Sequence, residues 1–496
     1  MNECRRGRQP FDLLSVGQRL RNVLLCQTMI LALAADALAE DWPQFRGHNA
    51  AGISSESKNL PVKFTAGENN LWSLELGEGI ACPIVSQGKV IATAMEDDNH
   101  RFVVFCLDAK SGQQLWRQSF EVSGLPTITK PNTPASSTPA TDGERVYVYF
   151  STLGLRALDM TDGHVVWEHP IELPEYLLDW GAAHSPIVFE DLVIFLQDDD
   201  RQPFLLALDK QSGEVRWKTH RPEMLAGYAI PVICHANGRD EVVIAGSGKL
   251  KAYDPQTGKP LWSSNTLLRT IMTSPVVADD VIYVAIQSYG DTDRTLKYAL
   301  LQWKDTDQDG RLEKSEVDEP FWGKFDDGDK NKDGYLIDTE IDVAFQAPTN
   351  MAGGGNTIQA IRGGGEGDVT ETHVLWNIDH KAPSNIASPL VLDGRLFVVK
   401  KGGVSACFNA TDGETVWMKK RIQNLGNYYA SPIAGDGKIY VMGENGFLVV
   451  LKQGPELEVL AKNDMGGSCI ATPAIADGRI YVRTLNQLYC FSKEAN

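Results

Sequence analysis

The sequence predicts an all-β protein, an eight-bladed β-propeller of four-stranded antiparallel blades with a small helical module inserted in blade 5. Three features predict it. A Ser/Thr-Pro unit, made of two β-rich runs around a tight turn, recurs along the chain. A second unit, ending in Trp, follows it at nearly every return. The alternation breaks once, between Ile286 and Ile358, around two acidic twelve-residue loops.

The first unit reads TPATDGERVYVYF (138–150), SPIVFEDLVIFL (185–196) and SPVVADDVIYVAI (274–286). It returns as SPLVLDGRLFVV (388–399), SPIAGDGKIYVMG (431–443) and TPAIADGRIYVRT (472–484). Looser copies start at Cys82-Pro83 and Ile230-Pro231, which makes eight. Internal repetition of this kind marks stacked supersecondary units that bury their faces against neighbours.

The second unit reads CLDAKSGQQLW to Trp116, ALDMTDGHVVW to Trp167, ALDKQSGEVRW to Trp217 and AYDPQTGKPLW to Trp262. Degenerate copies end at Trp376, Trp417 and Leu460. Apolar-polar alternation around Asp-Gly and Thr-Gly turns predicts antiparallel hairpins, tight at every first-to-second and third-to-fourth connection. Two hairpins make one blade. The eighth blade lacks its Trp-bearing strand, and Asn70-Leu71-Trp72-Ser73-Leu74 near the start supplies one. The two ends therefore pair and close the ring, leaving no long sheet edge. The repeated Trp and Asp-Thr-Gly positions are read as structural, with Trp filling the gap between blades.

The unit Ala252–Trp262, A-x-D-x-x-T-G-x-x-x-W, resembles the signature of PQQ-repeat propellers, and the resemblance covers nearly everything from Trp42 onward. Trp42-Pro43-Gln44-Phe45-Arg46-Gly47 also resembles the opening of an exported bacterial subgroup of that family. The resemblance implies the ring but leaves activity open. The family holds both quinoprotein alcohol dehydrogenases and non-enzymatic propellers, such as the one in the outer-membrane barrel assembly machinery.

The break in blade 5 carries two EF-hand loop patterns. Asp305, Asp307, Asp309, Gly310 and Glu316 stand at positions 1, 3, 5, 6 and 12 of the first; Asp329, Asn331, Asp333, Gly334 and Glu340 do so in the second. Calcium takes six to eight oxygens at about 2.3–2.6 Å, which a twelve-residue loop wraps around it. Gly at position 6 permits the sharp turn, the carbonyls of Arg311 and Tyr335 serve at position 7, and Glu at position 12 binds through both oxygens. Glu313 at position 9 reaches a cation through water, and Ile337 cannot. Leu312 and Leu336 at position 8 imply, by resemblance to other EF-hand pairs, a short strand bridge joining the loops. Between Asp291 and Asp342 lie sixteen Asp and Glu against eight Lys and Arg, so like charges crowd unless a cation neutralises them.

Arg5, Arg6, Arg8, Arg19 and Arg21 precede an apolar stretch, Val23 to Ala35, and then Ala37-Leu38-Ala39. This is the pattern of a secretory signal peptide cut before Glu40, which predicts a periplasmic or secreted protein with no transmembrane segment after cleavage. Cys26 lacks the small preceding residue a lipoprotein needs, and Arg5-Arg6 is a weak twin-arginine hint. Six cysteines remain, Cys82, Cys106, Cys234, Cys407, Cys469 and Cys490; none is in CxxC spacing, and they are read as small buried core residues. The formal charge of −18, with no basic run, disfavours nucleic acid.

The domain reading is therefore 1–39 signal peptide, 40–68 N-terminal extension, 69–290 blades 1–5 with the strand closing blade 8, 291–347 insertion, and 348–496 blades 5–8. Blade-to-blade links and second-to-third loops emerge on one face, so the long loops crowd one mouth of the ring. Lys130, Asn132, Trp180, His184, Tyr228, Arg269, Asn385, Asn427 and Tyr428 enter the first strands there and are the candidate ligand-binding groups. They suit a polar organic ligand or a solvated rim alike. The favoured function is a monomeric, non-enzymatic, calcium-binding scaffold of the cell envelope, with a protein or polymer at the loop-rich face. The alternative is a quinoprotein dehydrogenase holding pyrroloquinoline quinone (PQQ) and a further calcium. The neighbouring-cysteine disulfide of many such enzymes is absent, and no GxSxG or HExxH motif points to a hydrolase.

Overall fold

The computed structural model describes residue 1 and residues 40–493, except 97–99, 177–178, 200–201, 222–223, 225–226, 247, 267–270, 288–300, 302–303, 318, 320–321, 345–355 and 380–385. The signal-peptide pattern lies outside these residues. Contacts divide the chain after Ala39, and Glu40–Asn496 forms one compact unit.

That unit is a ring of eight four-stranded antiparallel sheets taken in chain order. Blade 1 is typical: Ile84–Ser86, Lys89–Glu96, Arg101–Asp108 and Gln114–Glu121, from the axis outward. Its second and third strands are buried almost throughout, because neighbouring blades cover both faces. The fourth strand alternates around buried Trp116, because its outer edge meets solvent. Blade 8 completes the ring as expected: Asn70–Glu75 pairs with Gln487–Ser492, Trp72 opposite Cys490.

Two repeated contacts explain why the sequence units recur. The Trp of one blade lies on the turn glycine of the next: Trp72 on Gly112, Trp116 on Gly163, Trp167 on Gly213, Trp217 on Gly258 and Trp376 on Gly413. Each indole N–H then donates to a carbonyl of that turn, as Trp116 does to Met160 O at 3.0 Å and Trp72 to Ala109 O at 3.1 Å. The turn itself is tied by its Asp, whose Oδ1 accepts amides such as Ser111 N at 2.7 Å and Thr257 N at 2.7 Å.

The second contact is a belt around the axis. The amide before each Pro donates to the side chain at the same position of the next blade. Cys82 N donates to Thr138 Oγ1 (3.1 Å), Thr138 N to Ser185 Oγ (2.9 Å) and Ile230 N to Ser274 Oγ (2.9 Å). Ser274, Ser388 and Ser431 continue to Ser388, Ser431 and Thr472 at 2.9–3.0 Å, and Thr472 N closes the belt on Cys82 Sγ at 3.2 Å. Only Ile230 offers no acceptor, so the Ser185–Ile230 link is missing. Ser388→Ala strands the buried amide of Ser274 and should destabilise the fold by about 1–3 kcal/mol in urea unfolding; an unchanged midpoint would show the belt to be incidental.

Blade 5 departs from the tight-hairpin expectation. Its third and fourth strands, Asn356–Arg362 and Val374–Asp379, are joined by a long connection through the short helix Thr370–His373, and Gly367–Asp368 pairs in parallel with the outer strand of blade 4. The reason is local. With no Thr-Gly turn to meet it, the Trp262 indole donates to the buried Glu241 carboxylate at 2.8 Å, which also accepts Gly364 N at 3.1 Å. The insertion lies in the chain between the paired strands Val281–Gln287 and Asn356–Arg362.

The N-terminal extension, for which the sequence assigned no role, runs over the inner strands near their tight turns and bonds to blades 1, 2, 4, 6 and 7. Asp41 accepts from Ser86 Oγ and Gln87 N in the first turn of blade 1. Trp42 exchanges both backbone bonds with Val85 of blade 1, and Pro43 O accepts Thr141 N of blade 2. The Asn49 carboxamide pairs with both backbone groups of Ile233 in blade 4, at 2.7 Å each. Ile53–Ser54 adds in parallel to the inner strand of blade 7. Arg46 is wholly buried and donates through Nη2 to Pro389 O of blade 6 at 2.6 Å; burial pushes its pKa down to about 10, so it stays charged at neutral pH.

Candidate functional site

The two acidic loops of the insertion fold alike. In each, Asp at position 1 accepts the amides of positions 5 and 6: Asp305 takes Asp309 N (3.2 Å) and Gly310 N (2.9 Å), and Asp329 takes Asp333 N and Gly334 N (3.1 Å each). Position 5 accepts position 7, from Arg311 N at 2.9 Å and Tyr335 N at 3.2 Å. Position 4 is left-handed in both (Gln308 φ 61°, Lys332 φ 60°), as are Gly310 and Gly334 (φ 82° and 92°). Those paired positive φ values explain why Gly is required at position 6.

The side-chain oxygens of Asp305, Asp307 and Asp309 converge to within 4.8 Å of one another. Glu316 reaches back over its loop, accepting Thr306 N at 2.6 Å and Glu313 N at 3.0 Å, and Glu340 accepts Ile337 N at 3.4 Å. Burial, with the Glu316 charge behind it, holds the Asp305 carboxyl above its usual range. Leu312 and Leu336 are fully buried and pair across a two-residue antiparallel bridge. Helices α1 (Trp322–Gly328) and α2 (Asp338–Ala344) pack so closely that a side chain on Gly328 would meet Ala344 Cβ at 2.5 Å. The all-oxygen donor set and equivalent loops fit a hard divalent cation.

At the loop-rich mouth the candidate residues fall into separate groups. His184 is buried between rings: Nε2–H donates to Gly227 O at 2.8 Å, Nδ1 accepts the Tyr176 hydroxyl at 3.1 Å, and the ring stacks at 11° on Tyr228. Burial pushes its pKa down to about 4, so it is neutral. Beneath it Asp198 and Arg221, neither with any side-chain exposure, form a bidentate pair at 2.8 Å. Asn132 donates to Trp180 O at 2.6 Å and receives Thr133 N. Lys130 is exposed, Asn427 accepts Glu444 N through its backbone carbonyl, and Tyr428 is buried with its hydroxyl bonded to none of the described residues. Arg269 and Asn385 lie outside the described residues. Sequence reasoning missed Tyr176, Asp198 and Arg221; the run Gln197-Asp198-Asp199 was the one signal available.

His184 has a measurable consequence. Its unfolded-state pKa of 6.5 exceeds the folded value of about 4, so the unfolded chain takes up the proton first. Its contribution is intact above pH 6.5, is lost as pH falls from 6.5 to 4, and amounts to about 3 kcal/mol. Urea midpoints at pH 7 and pH 4 should therefore differ more in the parent than in His184→Asn. Equal differences would refute the buried neutral imidazole.

All six cysteines among the described residues are buried; burial pushes the Cys106 and Cys490 thiols up to about 12, which makes them unreactive.

Belt, Trp-glycine docking and strand exchange at the seam define a PQQ-repeat eight-bladed propeller. The chain belongs to the family described as outer membrane protein assembly factor BamB, whose model matches residues 62–179, 175–320 and 349–495. A BamB of Alkalilimnicola ehrlichii is 31% identical over 148 residues, 29% of this chain and 36% of that protein. The quinoprotein alcohol dehydrogenase PedH of Pseudomonas putida is 30% identical over 125 residues, 22% of this chain and 20% of that protein. The matched part thus spans about a third and a fifth of these relatives. Among solved structures, BamB from Moraxella catarrhalis aligns with TM-score 0.52 at 16% identity, covering 86% of this chain and 98% of that one. Quinohemoprotein alcohol dehydrogenase from Comamonas testosteroni aligns with TM-score 0.53 at 13% identity, covering 92% and 81%. At these identities the likeness is one of fold. No helix among the described residues is long and apolar enough to cross a membrane.

Proposed function

We propose that this protein is an exported, calcium-stabilised scaffold of the cell envelope that binds a protein or polymer at its loop-rich face and performs no chemistry itself. The observation that carries the reading is the state of the mouth. His184, the natural candidate for a general base, is neutral and locked between Tyr176 and Gly227, and the carboxylate beneath it is held by Arg221. The family match supports a protein partner in the envelope, since the matched family is described as an assembly factor.

The two bridged loops would each hold one calcium, Asp305, Asp307, Asp309, Glu316 and the Arg311 carbonyl in one, Asp329, Asn331, Asp333, Glu340 and the Tyr335 carbonyl in the other. The ion would neutralise the acidic loops and hold α1 and α2 together. Burial of Leu312 and Leu336 against a fixed pair supports a stabilising role over a sensor's opening.

The quinoprotein reading draws on the similarity to PedH. PQQ is a planar tricarboxylate that needs cations and donors facing a cavity, and the described mouth residues do not fit it. Tyr176, His184 and Tyr228 close on one another, and Arg221 is paired with Asp198. Titration of the purified protein with the quinone and calcium separates the readings. The scaffold predicts no stoichiometric absorbance change, no alcohol-dependent dye reduction, and a defined partner cross-linked at the loop-rich face. Turnover of dye with alcohol would overturn it.

A further inference from the structure

The end of the channel opposite the loop-rich mouth carries a second, independent site. Every inner strand presents one residue whose N–H and C=O face the axis: Val85, Thr141, Val188, Ile233, Val277, Val391, Ala434 and Ile475, the fourth residue of each repeat unit. These are sheet edges, and an unpaired edge is a template for an added strand. The N-terminal extension satisfies four of them, with the backbone of Trp42, Pro43 and Gly52 on Val85, Thr141 and Ala434, and with the Asn49 carboxamide on Ile233. Val391 and Ile475 are buried. Val188 of blade 3 and Val277 of blade 5 are neither buried nor paired on this side, among the described residues.

Both border a cleft of about 460 Å³ between the extension and blades 3–5, lined also by Gln44, His48, Phe189 and Asp279. Gln44 is the second observation. The residue is only 7% exposed and lines the cleft, and its amide donors and acceptor, bonded to none of the described residues, reach the cleft's solvent rather than lying sealed among protein atoms. Here those groups share a cleft with two open strand edges and the half-buried ring of Phe189.

We propose that this cleft binds an extended peptide segment, which adds to the inner strand edge at Val188 or Val277 and is held from the other side by the Gln44 carboxamide. Added strands gain affinity from backbone bonds and select side chains by alternate pockets; Phe189 lines the apolar one. The chain's own extension already reads four equivalent edges in this way, which is the ground for choosing a peptide over a sugar. The cleft lies on the face away from the loop-rich mouth, so it does not depend on the scaffold reading.

The probe is N-acetyl-Ala-Val-Ala-amide, titrated into the whole protein by ligand-observed NMR. Binding is expected with Kd of about 1 mM or tighter. N-methylation of the central amide, which leaves the protein untouched, should weaken it at least about tenfold, and Gln44→Ala by about five- to tenfold with unchanged Tm. Val277→Pro, which deletes one edge N–H, should also weaken binding if that edge is used; if it alone has no effect, the Val188 edge is the one occupied. No binding at about 10 mM would overturn the proposal. So would equal affinity of the N-methylated peptide, indifference to Gln44→Ala, or Gln44-dependent binding of maltotriose instead. Quinone-dependent turnover would sink the scaffold reading and leave this result unaffected.

Discussion

Gly112→Ala should destabilise the ring by about 2–5 kcal/mol, and Gly88→Ala by only about 1–2 kcal/mol. The two glycines have the same left-handed backbone, φ 71° and φ 70°. They differ in what a methyl group would meet. At Gly112 it would stand 2.5 Å from the Trp72 indole, and at Gly88 it would meet nothing within 4 Å. The backbone penalty is common to both, so the difference between the variants isolates the steric contact of Trp72 with blade 1. That contact spans the seam where the N-terminal strand completes blade 8. Urea unfolding of the two variants beside the parent measures it, and equal midpoints would mean that Trp docking does not hold the seam.

Calcium should bind at two sites, and Glu316→Gln/Glu340→Gln should abolish both. The position-12 carboxylate supplies two of the ligand oxygens and one of the charges, so an amide there removes the bidentate grip. A ligand that binds only the folded state stabilises it by about 2.7 kcal/mol per site at a hundredfold excess over Kd. The parent should therefore gain about 5 kcal/mol with saturating calcium, and the double variant almost none. Calorimetry gives the stoichiometry and thermal unfolding the stabilisation. Absence of any calcium heat in the parent would dismiss the assignment. A single variant that loses both sites would instead show that the Leu312–Leu336 bridge makes the loops one cooperative unit.

Much of this fold was legible because repetition multiplies a weak signal. One Thr-Gly turn followed by Trp says little; seven approximate copies at blade spacing define a ring, and the missing eighth located Trp72 as its seam. The acidic loops were legible for a related reason, since their ligand spacing is a property of twelve consecutive residues. The extension was not legible. Nothing in Trp42–Gly47 is periodic, and its partners Val85, Thr141, Ile233, Pro389 and Ala434 are remote in the chain. The blade 5 connection misled for the opposite reason. It was expected to be tight like every other third-to-fourth connection, whereas the lack of a Thr-Gly turn under Trp262 handed that indole to Glu241.

Local order therefore came from the chain alone: strand, turn, blade count, acidic-loop pattern and the Ser/Thr-Pro position. Only the folded ring decided what those residues do to one another. It turned the Ser and Thr hydroxyls into a belt between blades, made His184 a buried neutral ring, and laid the N-terminal extension over four inner strand edges while leaving two open. The physical reason is that turn and strand preferences are set within a few residues, whereas burial and hydrogen-bond partnership belong to groups that meet only once the circle is complete.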